Sequence, residues 1–203
     1  MLAMPELLPN SLTALSSAER AAQKLQTPML LWFTGVSGAG KSTIAALVER
    51  HFFERGQHTY VLDADTARAG LNADLGFSAA DRAENVRRLA ECAKLLLDAG
   101  LVVLVTCISP YSQGRLAARK LMAEHRFIEV FVDTPIALAQ QRDPKGLYAK
   151  YADGQLSQLA GLDAPYERPQ RAELVLNTVE RNAPDCAAAV VAYVLADFEG
   201  KLG

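Results

Sequence analysis

The chain has 203 residues, of which 50% are hydrophobic and 22% are charged. This balance excludes disordered and collagen-like chains and predicts a protein that buries a core, with one compact domain expected at this length. The 21 Lys and Arg residues nearly balance the 23 Asp and Glu residues, so the formal charge of -2 does not favour a nucleic acid or a membrane as partner.

The first predicted element is a short helix near the N-terminus. Ser16 and Glu19 have the spacing of a capping box, which predicts a helix that begins at Ser17 and ends near Gln26. We therefore divide the chain into an N-terminal extension, residues 1–27, and a main domain, residues 28–203.

Short apolar runs then alternate with longer helical stretches. The predicted strands are Met29–Thr34, Thr59–Asp63 and residues 101–106, 127–133 and 174–176; the predicted helices are Ala79–Asp98 and residues 41–55, 112–125, 147–151 and 185–198. This alternation is typical of an α/β fold in which helices cover both faces of a parallel sheet. The sequence predicts a mostly parallel five-stranded sheet, with ligands bound beyond the carboxyl ends of its strands.

The segment after the first strand is rich in glycine and leads directly into a helix. Residues 35–42 read GVSGAGKS and satisfy the pattern GxxxxGK[ST]. Backbone N–H groups of such a loop face the phosphates, Lys41 reaches the β- and γ-phosphates, and Ser42 can hold Mg²⁺. The alternative interpretation is a glycine-rich turn with a surface lysine. An eight-residue match between a predicted strand and a predicted helix is far more specific than a lone GxGxxG motif and favours the phosphate loop. It predicts that a nucleoside triphosphate binds at this loop.

Two acids, Asp63 and Asp65, lie where the second strand ends, whereas residues 101–106 end without an acid. One acid of the pair is therefore expected to supply the carboxylate that phosphoryl transfer requires. Asp63 is our candidate to orient a metal-bound water or to accept the proton of an attacking hydroxyl. For Asp65, capping of a following helix is an equally good interpretation.

A group of polar and aromatic residues lies between the second and third strands. Arg82 and Asn85 are three residues apart on one predicted helix face, where they can bind the same anionic ligand. Phe77 can stack on a base. Taken alone, the pattern favours a simpler interpretation, in which Arg82 is a solvated helix charge, Phe77 a core aromatic and Ser109 an ordinary helix cap.

Residues 141–162 combine two cations, Arg142 and Lys145, with two glycines, Gly154 and Gly161. We interpret this segment as a lid that closes over the phosphates and excludes water. A plain connecting loop is the alternative interpretation.

The sequence also carries signals of the cellular compartment. No apolar run approaches the roughly 18–20 residues of a membrane-spanning helix, and no Lys or Arg precedes the first leucines, so we expect neither an anchor nor a secretory signal. Cys92, Cys107 and Cys186 are an odd number without CxxC spacing. Free thiols in a reducing cytoplasm are therefore expected.

The motifs GVSGAGKST, LDAD, GLNADLGFS, DRAENVRR, ISPY and QRDPKGLY occur in the order and spacing of adenylylsulfate kinases, and the resemblance covers about residues 31–176. It implies transfer of the γ-phosphoryl group of ATP, with Mg²⁺, to the ribose 3′-hydroxyl of adenosine 5′-phosphosulfate (APS). It also implies a P-loop kinase-like three-layer sandwich and a homodimer. No nucleic-acid or membrane partner is expected.

The resemblance further implies roles for individual residues. The ATP-binding residues would be Gly35, Ser37, Gly38, Ala39, Gly40, Lys41, Ser42, Thr43 and Arg142. The APS-binding residues would be Asp63, Arg68, Phe77, Arg82, Asn85, Ile108, Ser109, Lys145 and Leu159. Lys41, Asp63 and Ser109 would be catalytic, and Ser42 and Asp63 would hold Mg²⁺ directly or through water. Family descriptions mark the Ser109 position as a phosphoserine intermediate; direct in-line transfer, with Ser109 as a binding group, is the simpler mechanism.

Four positions depart from the family pattern. Ala64, Thr66, Ala69 and Leu159 stand where the family usually has Gly, Asn, His and Phe. Because stacking of a base on an aromatic side chain is worth about 1–3 kcal/mol, Leu159 is expected to weaken binding of the acceptor tenfold or more. Two alternatives therefore stay open: a P-loop kinase that acts on a different nucleotide-linked or small-molecule hydroxyl, and a nucleotide-binding regulatory protein without catalysis.

Overall fold

A computed structural model describes residues 15–199, so the outer parts of the predicted extension and of the C-terminus lie outside the described residues. Five strands form the centre of the fold: β1 (Met29–Thr34), β2 (Thr59–Asp63), β3 (Val102–Thr106), β4 (Arg126–Asp133) and β5 (Leu174–Asn177). Their spatial order is β2-β3-β1-β4-β5, and every neighbouring pair is parallel. The predicted five-stranded parallel sheet is confirmed, with strand ends displaced by at most one residue.

Eight helices occur in this part of the chain: α1 (Ser17–Gln23), α2 (Lys41–Glu54), α3 (Ala64–Arg68), α4 (Ala79–Asp98), α5 (Ser112–Leu121), α6 (Ile136–Arg142), α7 (Leu147–Ala152) and α8 (Ala183–Glu199). The short helices α3 and α6 were not predicted. Two predicted ends were wrong by three residues or more, and the others differ by at most two. Helix α1 stops three residues early because Leu25 adopts a left-handed backbone (φ 52°). Helix α5 stops at Leu121 because the chain turns back there to enter β4.

Two apolar clusters cover the two faces of the sheet. Leu31 and Phe33 of β1 face the layer formed by α2 and α8, while Leu30 and Trp32 face α4 and α5. This alternation follows from the two-residue period of a strand, and burial on both faces explains the continuous apolar run of β1. The predicted three-layer architecture is thereby confirmed.

The N-terminal ends of α1 and α4 both carry capping boxes, of which that of α1 was predicted. In α1, Ser16 and Glu19 hydrogen-bond each other's backbone N–H groups, and in α4 Ser78 and Asp81 do the same. Cys92, Cys107 and Cys186 are free thiols. None of the helices between residues 15 and 199 combines the length and the apolar character that a membrane crossing requires.

Candidate functional site

A cavity of about 390 Å³ lies at the carboxyl edge of β1, β2 and β3. It brings together most of the residues that the sequence singles out. Its wall includes Ser37, Gly38, Gly40, Lys41, Ser42, Thr43, Asp63, Arg68, Phe77, Arg82, Asn85, Ile108, Ser109, Lys145 and Leu159. Of the predicted site residues, Gly35, Ala39 and Arg142 are not part of this wall.

The glycine-rich loop between β1 and α2 is tightly packed against its neighbours. Gly38 adopts φ 72°, and a Cβ atom there would lie 2.9 Å from the Ala139 carbonyl oxygen. At Gly35 a Cβ atom would lie 2.7 Å from the Val132 carbonyl oxygen. Helix α2 begins after Gly40 without a side-chain cap, so its first N–H groups are not occupied by a capping oxygen. Such an uncapped N-terminus is suited to bind an anion.

Lys41, the first residue of α2, bends back over this loop. Its Nζ donates hydrogen bonds to the carbonyl oxygens of Gly35 (3.0 Å) and Val36 (2.8 Å). Burial lowers the pKa of Lys41 to about 8. An anionic ligand beside this ammonium would offset the desolvation and favour its charged form.

Ala39 and Arg142 meet on the α6 side of the loop. The Ala39 carbonyl accepts hydrogen bonds from Thr134 Oγ1 (3.2 Å) and from Arg142 Nη1 (3.4 Å). Arg142 Nη2 also donates to the Thr178 carbonyl (3.0 Å). Arg142 therefore connects the loop to the segment after β5 and does not reach the cavity wall.

Asp63 ends β2 with both carboxylate oxygens engaged. Oδ2 accepts hydrogen bonds from Ser42 Oγ (2.7 Å) and from Thr106 Oγ1, and Oδ1 accepts from the N–H groups of Asp65 and Thr66. Burial raises the pKa of Asp63, but the hydrogen bonds from Thr106, Ser42 and the backbone outweigh it, so the net pKa is lowered. The carboxylate is therefore ionised at neutral pH.

The expected alternative role of Asp65 is wrong. Asp63, not Asp65, caps α3, because its side chain accepts from the first free N–H groups of that helix. Asp65 instead forms an ion pair with Lys145 of the predicted lid.

Phe77 and two arginines form one side of the cavity. The Phe77 ring is 51% exposed, and the guanidinium of Arg68 lies 4.5 Å from its centroid. Arg68 donates to the carbonyls of Leu75 and Gly76, and Arg82 Nε donates to the Phe77 carbonyl (3.0 Å). The simpler interpretation of a solvated Arg82 and a core Phe77 is therefore wrong: the arginine is buried and the aromatic ring is open to the cavity.

Asn85 lies one helical turn after Arg82 and is also buried. Its Oδ1 accepts a hydrogen bond from Asn72 Nδ2 (3.0 Å), and its Nδ2 donates to Cys107 Sγ (3.5 Å). With Oδ1 occupied, the amide presents donor character toward the cavity. Burial raises the pKa of the Cys107 thiol, which keeps it protonated and unreactive at neutral pH.

Ser109 belongs to the cavity wall, but its hydroxyl lies in a buried network. Its Oγ donates to Thr34 Oγ1 (2.9 Å) and accepts from Trp32 Nε1 (3.1 Å). The residue is 1% exposed and adopts φ 39°. This arrangement occupies the hydroxyl with structural partners and is unfavourable for a phosphate-accepting nucleophile. It also departs from the ordinary helix cap considered for this serine, because α5 has no side-chain N-cap.

The predicted lid segment lies against the same cavity. Lys145 and Leu159 are part of the wall, and Arg82 Nη2 donates to the carbonyl of Gln158. Asp163 accepts hydrogen bonds from the N–H groups of Gln158 (2.8 Å) and Leu159 (2.7 Å). The segment is thus positioned where a lid would be, and its closure over bound phosphates stays a prediction.

Sequence reasoning missed Thr106 and Asn72, which support Asp63 and Asn85. Thr106 lies opposite Asp63 in the register between β2 and β3. Only the order of strands reveals that neighbourhood, and the sequence did not fix that order. Asn72 lies in the loop after α3, within the motif GLNADLGFS, but no role was assigned to it from the sequence.

The chain is similar to proteins of known type. Residues 27–177 match the family model "Adenylylsulphate kinase". The chain is 51% identical over 183 residues to an adenylyl-sulfate kinase of Shewanella denitrificans, covering 90% of this chain and 89% of that protein. It is 53% identical over 171 residues to the bifunctional enzyme NodQ of Rhizobium sp. strain N33, covering 84% of this chain and 26% of that enzyme. The chain thus spans about a quarter of that relative's length.

A solved structure is similar as well. The APS kinase of Mycobacterium tuberculosis, in complex with AMPPNP and APS, has a TM-score of 0.80 and 49% sequence identity to this chain. The match covers 83% of this chain and 98% of the mycobacterial one.

Proposed function

Because the chain belongs to the adenylylsulphate kinase family, we propose that it transfers the γ-phosphoryl group of ATP to the ribose 3′-hydroxyl of APS. The observation that carries this proposal is one shared cavity wall. The glycine-rich loop and the group of Phe77, Arg82 and Asn85 line the same cavity. A donor and an acceptor bound there would meet across it, which is the main requirement of phosphoryl transfer.

The donor half of the proposal concerns the loop and Lys41. ATP is the phosphoryl donor of the family. The N–H groups of the uncapped α2 terminus would bind its β-phosphate, and the Lys41 ammonium would exchange its two carbonyl partners for phosphate oxygens. Arg142 would hold the loop in place from the α6 side, through its hydrogen bond to the Ala39 carbonyl.

Mg²⁺ is part of the proposal, and the residues present fit it. Ser42 Oγ and Asp63 Oδ2 lie 2.7 Å apart at the cavity wall. In residues 15–199 no three His, Cys, Asp or Glu side chains cluster as a metal site. Mg²⁺ commonly uses one or two protein oxygens together with water and substrate phosphates, so this hydroxyl and carboxylate suffice. When bound, the ion would compensate the negative charge of the phosphates.

Asp63 is proposed to orient the attacking hydroxyl. The bond between the 3′-oxygen of APS and the γ-phosphorus forms, the bond from that phosphorus to the β-γ bridging oxygen breaks, and the hydroxyl proton passes to Asp63. Because the pKa of Asp63 is lowered, the carboxylate is a weak base and takes the proton late. A late proton transfer suits the loose transition state of phosphoryl transfer, in which positioning matters more than base strength.

The acceptor half of the proposal concerns the residues of the cavity wall that lie outside the glycine-rich loop. The exposed ring of Phe77, fixed by Arg68 and Arg82, is suited to stack on the adenine of APS. Asn85 would donate a hydrogen bond to it, and Lys145 would bind its anionic groups. Ile108 and Ser109 would contribute the opposite wall, with Ser109 a binding group through its backbone.

A second acceptor is the competing hypothesis, and Leu159 is the observation that favours it. This leucine lines the cavity at a position where the family pattern has an aromatic residue. An ADP-release assay that compares APS with other nucleotide-linked and small hydroxyl compounds distinguishes the two hypotheses about the acceptor. We expect APS to give the highest kcat/KM; a higher value for another acceptor would contradict the proposal, and tight ATP binding without any turnover would favour the regulatory alternative.

Replacement of Leu159 by phenylalanine is expected to lower KM for APS about tenfold, because a second aromatic surface becomes available to the adenine. Leu159 is only 4% exposed, so the larger ring must fit by local rearrangement of the lid. KM for ATP and for APS are measured in the same assay. Leu159→Met keeps the volume without the ring and should stay within about threefold of the parent. An unchanged or higher KM in a well-folded Leu159→Phe protein would mean that the lid approaches the acceptor differently.

Assembly and location complete the proposal. The resemblance to the family supports a homodimer. The three free thiols support a reducing cytoplasm as the location.

A further inference from the structure

Arg115 of α5 is a buried arginine outside the cavity wall. It is 4% exposed, and its guanidinium uses all three of its nitrogen atoms. Nη1 donates to the Ser109 carbonyl (2.7 Å), Nη2 donates to the Glu167 carbonyl (2.8 Å), and Nε forms an ion pair with Glu129 Oε1 (2.8 Å). A planar guanidinium is suited to hold two carbonyl acceptors in fixed directions while it pairs with a carboxylate, which a lysine ammonium is not.

The segment that Arg115 holds has an unusual backbone. Ser109 adopts φ 39°, a left-handed conformation that a residue with a side chain rarely keeps without support. Its hydroxyl is held by Trp32 and Thr34 of β1, and its carbonyl by Arg115. The strained residue is thus fixed at both its side chain and its main chain. Loss of either set of bonds would let residues 108–110 relax toward an ordinary conformation.

Residues 108–110 are part of the cavity wall, on the proposed acceptor side. The bonds of Arg115 described above run to this wall, to β4 and to the segment after the lid, and none of them involves the glycine-rich loop. We propose that Arg115 is a positioning residue for the acceptor half of the cavity: it fixes the Ser109 backbone, and through it the wall against which the acceptor is placed. This inference depends on the proposed function for the identity of the acceptor only.

Arg119 offers a matched control, one helical turn further along α5. It forms a bidentate ion pair with Glu173 (2.7 Å for each bond), it also approaches Glu129 (3.6 Å), and it donates to the Phe127 carbonyl. Arg115→Lys and Arg119→Lys therefore each weaken the same charged network by the same chemical change. Only the first removes a bond to the cavity wall.

The test compares both variants with the parent chain in steady-state kinetics. In Arg115→Lys, KM for APS is expected to rise about tenfold or more, while KM for ATP stays within about twofold, because a displaced wall misplaces the acceptor alone. In Arg119→Lys both KM values are expected to stay within about twofold of the parent. Equal rises of both KM values in Arg115→Lys, no rise in either, or the same rise for APS in Arg119→Lys would overturn the proposal.

Amide hydrogen exchange without substrates gives a readout that does not depend on the acceptor. The amides of Ser112 and Glu167, which donate to the Glu167 carboxylate and to the Pro110 carbonyl, are expected to exchange about tenfold faster in Arg115→Lys and at the parent rate in Arg119→Lys. Unchanged exchange in Arg115→Lys would overturn the positioning role. If the parent chain does not phosphorylate APS, the proposed function fails, and the exchange comparison still decides the role of Arg115.

Discussion

Replacement of Lys41 by alanine is expected to lower kcat for phosphoryl transfer about 10³-fold, because it removes the ammonium that compensates charge on the transferring phosphate in a site that excludes water. Release of ADP from ATP and APS measures the effect. The fold is expected to survive, because the hydrogen bonds of the Lys41 ammonium run to carbonyls of its own loop and its side chain belongs to neither apolar cluster. A kcat within tenfold of the parent would remove Lys41 from the mechanism.

The pH dependence of stability provides the control for this variant. Burial lowers the pKa of Lys41 from 10.5 to about 8 in the folded chain, so the charged ammonium is disfavoured by folding. The buried ammonium therefore lowers the free energy of unfolding by its full amount below pH 8, and this effect disappears as the pH rises toward 10.5. Without ligands, the free energy of unfolding of the parent minus that of Lys41→Ala should therefore rise as the pH increases from 8 to 10.5. A difference that stays constant from pH 7 to 10.5 would contradict the burial of the ammonium.

Asp63→Asn is expected to lower kcat about 10²-fold or more, because the amide can neither take the hydroxyl proton nor carry the negative charge that a metal ion requires. The fold should be preserved. Asn is as good an N-cap as Asp, and its Oδ1 can keep accepting from the first N–H groups of α3. The Ser42 and Thr106 hydroxyls can turn to accept from the new amide. The kcat with saturating ATP and APS is the measurement.

Asp65→Asn is the matched comparison for Asp63→Asn. It removes the same charge two residues further along, from an exposed side chain whose partner is Lys145. We expect its loss of kcat to be at least about tenfold smaller, because charge at a distance is screened in the open part of the site. Equal losses in the two variants would mean that Asp63 acts through general electrostatics and not through contact with the reacting groups.

The glycine-rich loop, which is the proposed donor half of the site, could be predicted from the sequence. The phosphate loop is a local pattern, in which the strand, the glycines and the helix follow one another within about a dozen residues. Helix α4 was predicted with both ends correct, because the residues that begin and end it lie next to it in the sequence: Ser78 is its N-cap and Gly100 follows its C-cap. Local signals of this kind do not depend on how the rest of the chain packs.

The hydrogen bonds that hold the site residues in place could not be predicted in the same way, because their partners lie far apart in the sequence. Whether Arg82 faces water or a protein carbonyl is decided in part by Gln158, 76 residues further along the chain. The bond between Thr106 and Asp63 depends on the order of strands, and the bond between Arg115 and Ser109 depends on where α5 comes to lie. Capping by Asp65 was one of two interpretations that the sequence left open, and it was wrong because a five-residue helix carries too little periodicity to reveal where it begins.

The most direct measurement is a crystal structure of the chain with Mg²⁺, a non-hydrolysable ATP analogue and APS bound together. The account predicts the triphosphate on the glycine-rich loop beside Lys41 and the adenine of APS against Phe77. The ribose 3′-oxygen should then lie about 3–3.5 Å from the γ-phosphorus and in line with the leaving oxygen. APS bound outside this cavity, or bound within it with its 3′-oxygen directed away from the γ-phosphorus, would contradict the account.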